Sequence, residues 1–315
     1  MHNLQLWLRP LKLPGLGQLS SIVFLLSASL LVSAQRLSAQ TWQLLPHDRI
    51  VVLGASFVER EALWGEIETT LTSSFADRPF TLRWLGWSGD TVWAESRGVF
   101  DPPVQGYRRM LDLVQELGPT VVVLAYGQNE MFAGEEGLPR FLTQYEQLCR
   151  DLSAEHRRLV LVVPHLFESP APPLPDAARW NPLLRRYGEA IKELAHRLQT
   201  GVIDLQQETA AKPLTDNGMH LTREGYRVLG KIWVTSAGGQ PRDLPAQERE
   251  HLRQLIVIKN TWFFHRWRPA NVTYLYLFRK HEQGNNAVEI PQFDPFVEQT
   301  ERQIWDYVTR QVLQP

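Results

Sequence analysis

The chain has 315 residues, with 33 Lys and Arg against 34 Asp and Glu and a formal net charge of -1. This balance leaves no basic excess to neutralise a phosphate backbone, so nucleic acid is a poor candidate partner. The single cysteine, Cys149, excludes an intrachain disulfide and any zinc or redox site built on a cysteine pair. With 43% hydrophobic and 21% charged residues, the chain has enough apolar material for a folded core.

The N-terminal segment has the pattern of a secretory signal. Residues 1–21 contain two basic residues near their middle and no acidic residue, and the almost wholly apolar run Ile22–Val32 follows. Small residues around Ala34 and Ala39 provide cleavage sites. The apolar run is shorter than the roughly 20 residues needed to span a bilayer, although an uncleaved anchor is the alternative. We expect cleavage after residue 34 or 39 and a secreted or periplasmic protein without a stable membrane span.

Short apolar runs alternate with amphipathic segments over roughly residues 48–235. Continuous β-branched runs are typical of parallel strands that are buried on both faces. The predicted strands are Arg49–Leu53, Phe80–Leu85, Thr120–Ala125, Leu159–Val163 and Val202–Leu205, and the predicted helices between them are Leu63–Phe75, Tyr107–Leu117, Leu138–Leu152 and Ala177–Leu198. The sequence therefore predicts an α/β fold of three layers, in which helices cover both faces of a central parallel sheet.

A stretch rich in Gly and Pro over residues 236–245 separates this domain from a C-terminal extension. Helices are predicted near Gln247–Phe264 and Phe296–Leu313, on either side of an irregular aromatic-rich stretch. The predicted organisation is a signal peptide over residues 1–40, an α/β domain over 41–235 and an extension over 236–315 that packs on it.

Chemically useful residues follow successive predicted strands. The ligand crevice of an open parallel sheet lies beyond the carboxyl ends of its strands. Ser56 follows the first strand, Gly89 the second and Asn129 the third, while Asp216 and His220 lie in a turn before a later helix. Acyl transfer requires these groups: a nucleophile, oxyanion donors, a base and a group that orients the base.

Each of these residues also has a purely structural explanation. Ser56 is a good helix N-cap, Gly89 and Asn129 suit turns or caps, and His220 alone is more often a hydrogen-bonded structural histidine. Their order after successive strands favours a common crevice, because each group is placed where a single site requires it.

In this arrangement the chain resembles the SGNH, or GDSL-type, hydrolases, over about residues 48–230. The resemblance implies a flavodoxin-like three-layer fold and a carboxylic ester hydrolase that uses neither a cofactor nor a metal. By position it also implies that Ser56 is the nucleophile, that Gly89 and Asn129 form the oxyanion hole, and that His220 is the base.

Two positions depart from the pattern of that family. The usual Gly-Asp-Ser-Leu around the nucleophile is Gly-Ala-Ser-Phe here, beginning at Gly54. Asn217 stands three residues before His220, where the family has Asp, and Asp216 is one residue further away. Either a lengthened turn lets Asp216 orient the imidazole, or Asn217 does so as a neutral partner. We favour Asp216, because a carboxylate also stabilises the imidazolium that forms.

The aromatic-rich segment Trp262–Asn286 combines rings with Arg and His side chains. We expect it to fold over the carboxyl ends of the strands and shape the substrate pocket, since rings give flat apolar faces and polar groups fix orientation. Arg268 and His281, together with His165 after the fourth strand, are the candidate substrate-binding residues. The alternative is that the rings only seal a core while the arginines extend outward.

These features predict an exported esterase that removes O-acyl groups from small-molecule or carbohydrate esters. Two alternatives stay open. A pseudo-hydrolase would bind glycans without turnover, and an acyltransferase would use the same residues to move the acyl group to a sugar hydroxyl.

Overall fold

The computed structural model describes residues 42–207, 213–282 and 286–313, so the predicted signal peptide lies outside the described residues. In these ranges, parallel strands form a sheet in the order β2-β1-β3-β4-β5. The strands are β1 (Arg49–Gly54), β2 (Thr81–Gly86), β3 (Val121–Ala125), β4 (Arg158–Val163) and β5 (Gly201–Asp204). Within the described part of the chain, none of the helices has the length and hydrophobicity needed to cross a bilayer.

Helices flank the sheet and continue beyond it into the C-terminal region, which confirms the predicted three-layer α/β fold with a helical extension. The helices are α1 (Ser56–Trp64), α2 (Glu66–Ser74), α3 (Pro103–Leu117), α4 (Gly134–Leu152), α5 (Asn181–Leu198), α6 (Arg223–Ser236), α7 (Ala246–Trp267), α8 (Val272–Leu275) and α9 (Asp294–Val308).

The first helical segment differs from the sequence-based prediction. The periodicity predicts one helix over Leu63–Phe75, whereas the structure has α1 and α2 with a break between them. Gly65 forms the break with φ of 66°, a left-handed conformation that glycine adopts without steric cost. The first helix therefore begins at Ser56, directly after β1.

Both faces of the sheet are buried. Val51 and Leu53 of β1 pack in the core that α3, α4 and α5 share, whereas Ile50 and Val52 pack in the core formed with α2 and α6. Side chains alternate between the two faces along a strand, so two covered faces favour apolar residues at successive positions.

The C-terminal region covers strand β2, which lies at the edge of the sheet. Lys259 of α7 donates from Nζ to the carbonyl oxygen of Leu82 at 3.0 Å. Trp305 of α9 donates from Nε1 to the carbonyl oxygen of Phe80 at 3.1 Å. Side chains of the extension thus occupy carbonyl groups along the edge that are otherwise open to pairing with another chain.

The strand order places a topological switch point between β1 and β3. In such sheets the ligand crevice opens outside the carboxyl ends of the strands at that point. The loops that follow β1 and β3 carry Ser56 and Asn129 to this edge. Helix α1 also packs against the end of β2, because a Cβ atom on Gly86 would lie only 2.0 Å from the backbone nitrogen of Glu59.

Candidate active site

Ser56 is the first residue of α1, immediately beyond the end of β1. Its Oγ accepts a hydrogen bond from the backbone N–H of Gly89, at 3.4 Å. A helix N-terminus carries a partial positive charge, which favours negative charge that develops on an oxygen there. The fold therefore brings a hydroxyl and a backbone donor together at the crevice, as the sequence predicted for these two residues.

Gly89 lies in the loop that follows β2, where its φ of 75° suits glycine. The neighbouring residue, Ser88, donates its backbone N–H to Oε2 of Glu59 at 2.5 Å. Glu59 belongs to α1, one turn after Ser56, so the helix that presents the serine also holds the loop that presents Gly89. Sequence reasoning missed Glu59, whose only signal is its spacing of three residues from Ser56.

Asn129 follows β3, and its Nδ2 donates to the carbonyl oxygen of Asp90 at 2.7 Å. One N–H of the amide is used in this bond; the second has no partner among the residues that the structure describes and can donate to an oxyanion. The next residue, Glu130, accepts backbone N–H groups from Val92 at 2.8 Å and Gly127 at 2.7 Å. These bonds join the loops after β2 and β3, and burial raises the pKa of Glu130 to about 7.

His220 lies in a turn that an isolated bridge between Thr215 and Leu221 closes. The turn is attached to α1, because Arg60 donates to the carbonyl oxygen of Leu221 at 3.3 Å. Glu168 supports the start of the turn by accepting the backbone N–H of Thr215 at 2.9 Å. In the described part of the chain, no hydrogen bond joins His220 to Ser56 Oγ; such bonds are often long before substrate binds.

The structure places Asn217, rather than Asp216, beside the imidazole. Nδ2 of Asn217 lies 3.0 Å from Nδ1 of His220, and its Oδ1 accepts the backbone N–H groups of Met219 and His220. Asp216 instead forms an ion pair with Arg60, at 2.5 Å. This differs from our expectation of a lengthened turn, because Asn217 closes the short turn through its own side chain.

The surroundings of His220 favour the neutral form of its imidazole. Partial burial lowers its pKa, the positive charge of Arg60 lowers it further, and the negative charge of Asp216 opposes both effects. A neutral imidazole is the form that can accept a proton from a nucleophile.

His165 follows β4 as predicted, but its ring is buried, with only 6% of the residue exposed. Its Nδ1 lies 3.0 Å from the carbonyl oxygen of Leu166, and its Nε2 lies 3.4 Å from Nε2 of Gln128. Burial lowers its pKa, while the hydrogen bond to the Leu166 carbonyl oxygen and the negative charge of Glu168 oppose this effect. The centre of the His165 ring lies 6.2 Å from the centre of the Phe57 ring, so His165 packs against the residue that follows Ser56.

The two candidate binding residues of the extension are placed differently. Arg268 reaches the loop after β2, where its guanidinium lies 3.8 Å from the centre of the Trp87 ring and donates to Glu59 Oε2 at 3.0 Å. His281 lies beside Glu282, and none of its described interactions involves the residues around Ser56. Residues 283–285 of the same segment lie outside the described residues.

Solved structures share this fold at low sequence identity. A gut microbial diltiazem-metabolizing enzyme superposes with a TM-score of 0.57 and 10% identity, covering 86% of this chain and 97% of its own. A catalytic mutant of Axe2, an acetylxylan esterase from Geobacillus stearothermophilus, superposes with a TM-score of 0.50 and 14% identity, covering 64% of this chain and 100% of its own. No curated protein sequence matches the chain.

The family model described as the GDSL-like lipase/acylhydrolase family matches residues 52–228. This range is more than half of the chain and contains Ser56, Gly89, Asn129 and His220. The chain therefore belongs to the GDSL-like lipase/acylhydrolase family, which confirms the resemblance and the prediction of a carboxylic ester hydrolase.

Proposed function

We propose that this chain is an exported serine esterase that removes small O-acyl groups, such as acetyl, from a carbohydrate. The observation that carries the catalytic part is the hydrogen bond from the Gly89 N–H to Ser56 Oγ, at 3.4 Å. It places a backbone donor beside the oxygen that would attack the ester. The negative charge of the tetrahedral intermediate develops on the neighbouring carbonyl oxygen, within reach of such a donor.

The proposed reaction has two steps. Oγ of Ser56 bonds to the ester carbonyl carbon while its proton passes to Nε2 of His220, in the tautomer that carries its own proton on Nδ1. The oxyanion is held by the N–H groups of Ser56 and Gly89 and the amide of Asn129. The ester C–O bond then breaks, and the alcohol leaves with the proton from His220. Water repeats the sequence on the acyl-enzyme and releases the carboxylic acid.

The test of the nucleophile is covalent labelling by a serine-directed phosphonate, followed by peptide mapping. We expect the label on Ser56 and a loss of about 10³-fold or more in kcat for Ser56→Ala, with an unchanged circular dichroism spectrum. Ser153→Ala is the matched control, because its hydroxyl donates to a helix carbonyl in α4. Turnover by Ser56→Ala within tenfold of the parent would disprove the assignment.

The carbohydrate part of the proposal is supported by the fold shared with the acetylxylan esterase from Geobacillus stearothermophilus. Acetate release from acetylated xylan oligosaccharides, measured against 4-nitrophenyl acetate, tests it. A kcat/KM at least about tenfold higher for the oligosaccharide is expected. A transfer product in the presence of free xylose, in place of acetate, would identify an acyltransferase instead.

The export part of the proposal depends on residues 1–39. Expression of the full chain in a bacterial host, with mass spectrometry of the N-terminus in the periplasm or medium, tests it. We expect a mature form that begins after Ala34 or Ala39. An intact N-terminus on cell-associated protein would disprove cleavage.

A second candidate function is glycan binding with little or no turnover. The amide N–H of Asn217 next to Nδ1 of His220 favours it, because a donor at Nδ1 leaves the proton of a neutral imidazole on Nε2. That nitrogen can then act as a hydrogen-bond donor but not as a base. Hydrolysis of 4-nitrophenyl acetate that is abolished by Ser56→Ala would exclude this candidate.

A further inference from the structure

A cavity of about 530 Å³ lies between α3 and the segment that follows α7. Much of its wall is apolar: the rings of Trp87, Trp267 and Tyr276 and the side chains of Met110 and Val272 border it. A volume of this size and an aromatic lining are typical of sites for small organic ligands. None of Ser56, Gly89, Asn129 and His220 borders the cavity, so it is separate from the catalytic residues.

The positive charges around the cavity are compensated, whereas the exposed Asp112, which also borders it, belongs to none of the described ion pairs. The arginines that border it are each paired with a carboxylate, and the pairs are Arg97 with Asp90, Arg109 with Asp101, Arg266 with Asp294 and Arg268 with Glu59, at 2.6–3.0 Å. Because each guanidinium already has an anionic partner, the cavity offers an anion no unpaired positive charge. The apolar rings and the paired arginines favour a ligand that has a flat apolar face and no negative charge.

One wall of the cavity belongs to the loop that carries Gly89. The Trp87 ring borders the cavity, two residues before Gly89, and meets the Trp267 ring at 6.1 Å with an interplanar angle of 64°. Arg268 covers the same ring at 3.8 Å. A ligand in the cavity thus contacts the chain immediately beside the proposed oxyanion donor.

We propose that this cavity is a binding site for a neutral aromatic group. The group is either the remote part of the ester substrate, which rests on the proposed esterase function, or a separate small molecule. The chemistry is the same in both cases: a flat ring packs against Trp87, Trp267 and Tyr276 and removes apolar surface from water.

Binding is tested with the neutral dye N-phenyl-1-naphthylamine, whose fluorescence rises in apolar surroundings. Val272→Trp and Leu113→Trp fill the cavity from two different walls, and Ile258→Trp adds the same ring at an exposed position of α7 outside it. We expect saturable binding to the full chain, at least about tenfold weaker in either filled variant and unchanged in Ile258→Trp. Circular dichroism identifies any variant that fails to fold.

Saturable binding that survives both substitutions in folded protein, or no binding at all, would overturn the proposal. The dye should also bind Ser56→Ala as it binds the parent, so this readout does not depend on esterase activity. A failed esterase assignment and a failed cavity assignment are therefore distinguishable.

Turnover then separates the two sources of the ligand. One ester is the acetate of an alcohol that carries a naphthyl ring on a flexible chain, and the other is 4-nitrophenyl acetate. If Val272→Trp raises the KM for the naphthyl ester about tenfold and leaves the KM for 4-nitrophenyl acetate unchanged, the cavity is a remote substrate subsite. Dye binding that is lost in Val272→Trp, with both KM values unchanged, identifies a site for a separate aromatic molecule.

Discussion

The side-chain amide nitrogen of Asn217 lies 3.0 Å from Nδ1 of His220. The orientation of the amide is fixed, because Oδ1 accepts the backbone N–H groups of Met219 at 3.0 Å and His220 at 2.8 Å. Nδ1 must then act as the acceptor, and the proton of the neutral imidazole sits on Nε2. A general base for Ser56 needs the opposite tautomer, so Asn217 opposes the chemistry that the rest of the site supports.

The first prediction is that Asn217→Asp makes the chain a faster esterase. An Asp keeps an oxygen for the two backbone N–H groups and offers its second oxygen to an N–H on Nδ1, which frees Nε2 to accept a proton. The reverse change in a Ser-His-Asp triad costs about 10⁴ in kcat through the wrong tautomer. We expect kcat for 4-nitrophenyl acetate to rise by about tenfold or more.

The control for this change is Asp216→Asn, which alters the neighbouring carboxylate that pairs with Arg60. It should not raise kcat. The pH profile gives a second readout, because a carboxylate at Nδ1 raises the pKa of His220 and moves the acid limb of kcat/KM to higher pH. A folded Asn217→Asp protein with unchanged or lower kcat would show that the imidazole is not used as a base from this position.

The second prediction concerns the acid limb in the parent protein. Burial and the charge of Arg60 lower the pKa of His220, so the neutral base persists below the usual range of histidine. Arg60→Gln removes a positive charge and leaves Asp216 uncompensated, and both changes raise the pKa of His220. The acid limb of kcat/KM should therefore move to higher pH, whereas Arg279→Gln, which breaks an exposed ion pair with Glu282, should leave it in place. A shift to lower pH would contradict the assignment of His220.

The fold was predictable because its signal is local. The central strands β1, β3 and β4 are buried on both faces and are nearly continuous apolar runs, whereas Thr81 and Arg83 of the edge strand β2 are only partly buried; parallel strands also bring their carboxyl ends to one edge. Ser56, Gly89 and Asn129 could be placed together from that rule alone. The break at Gly65 was missed, since the apolar periodicity continues through it and only the left-handed backbone reveals it.

The partners of the site residues were not predictable, because they come from distant parts of the chain. Glu168 supports the His220 turn from 47 residues away in sequence, at Thr215. The choice between Asp216 and Asn217 depends on which side chain folds back over the turn, and spacing alone does not specify this. The burial of Lys259 was also not predictable, since a lysine in a helix usually lies at the surface.

The third prediction is a pH-dependent stability that originates at Glu130. Burial raises its pKa to about 7 in the folded protein, against an ordinary value of 4.5. The unfolded chain loses this proton near the ordinary value and the folded chain near 7, so the free energy of unfolding falls as pH rises between these values. The loss is about 3 kcal/mol from this group.

Urea unfolding at pH 5 and pH 8 measures this effect. Glu130→Gln removes the titrating group, so the variant should lack this part of the decrease with pH, while its amide nitrogen, which cannot accept a backbone N–H, lowers the free energy of unfolding at both pH values. Glu136→Gln, at an exposed position in the first turn of α4, is the control and should keep the parent's pH dependence. An equal loss of stability with pH in the parent and in Glu130→Gln would exclude Glu130 as its source.

The last prediction concerns how the extension is attached to the sheet. Lys259 of α7 is fully buried and donates to Glu68 Oε1 at 2.5 Å and to the Leu82 carbonyl oxygen at 3.0 Å, while Trp84 donates to Glu68 Oε2 at 2.9 Å. Burial lowers the pKa of the Lys259 ammonium and the Glu68 carboxylate opposes that effect, so each charge of the pair compensates the other. Lys259→Met leaves the carboxylate buried without its cation and the edge carbonyl without its donor, which should lower the free energy of unfolding by about 3–5 kcal/mol.

Adding Glu68→Gln removes the uncompensated charge and keeps an acceptor for Trp84, so the double variant should regain part of the loss. Lys231→Met, which breaks a half-exposed ion pair with Asp243, should cost less than about 1 kcal/mol. Urea unfolding of the parent, the two single variants and the double variant measures these free energies. If Lys259→Met lowers the free energy of unfolding no more than Lys231→Met does, the buried pair does not hold the extension in place.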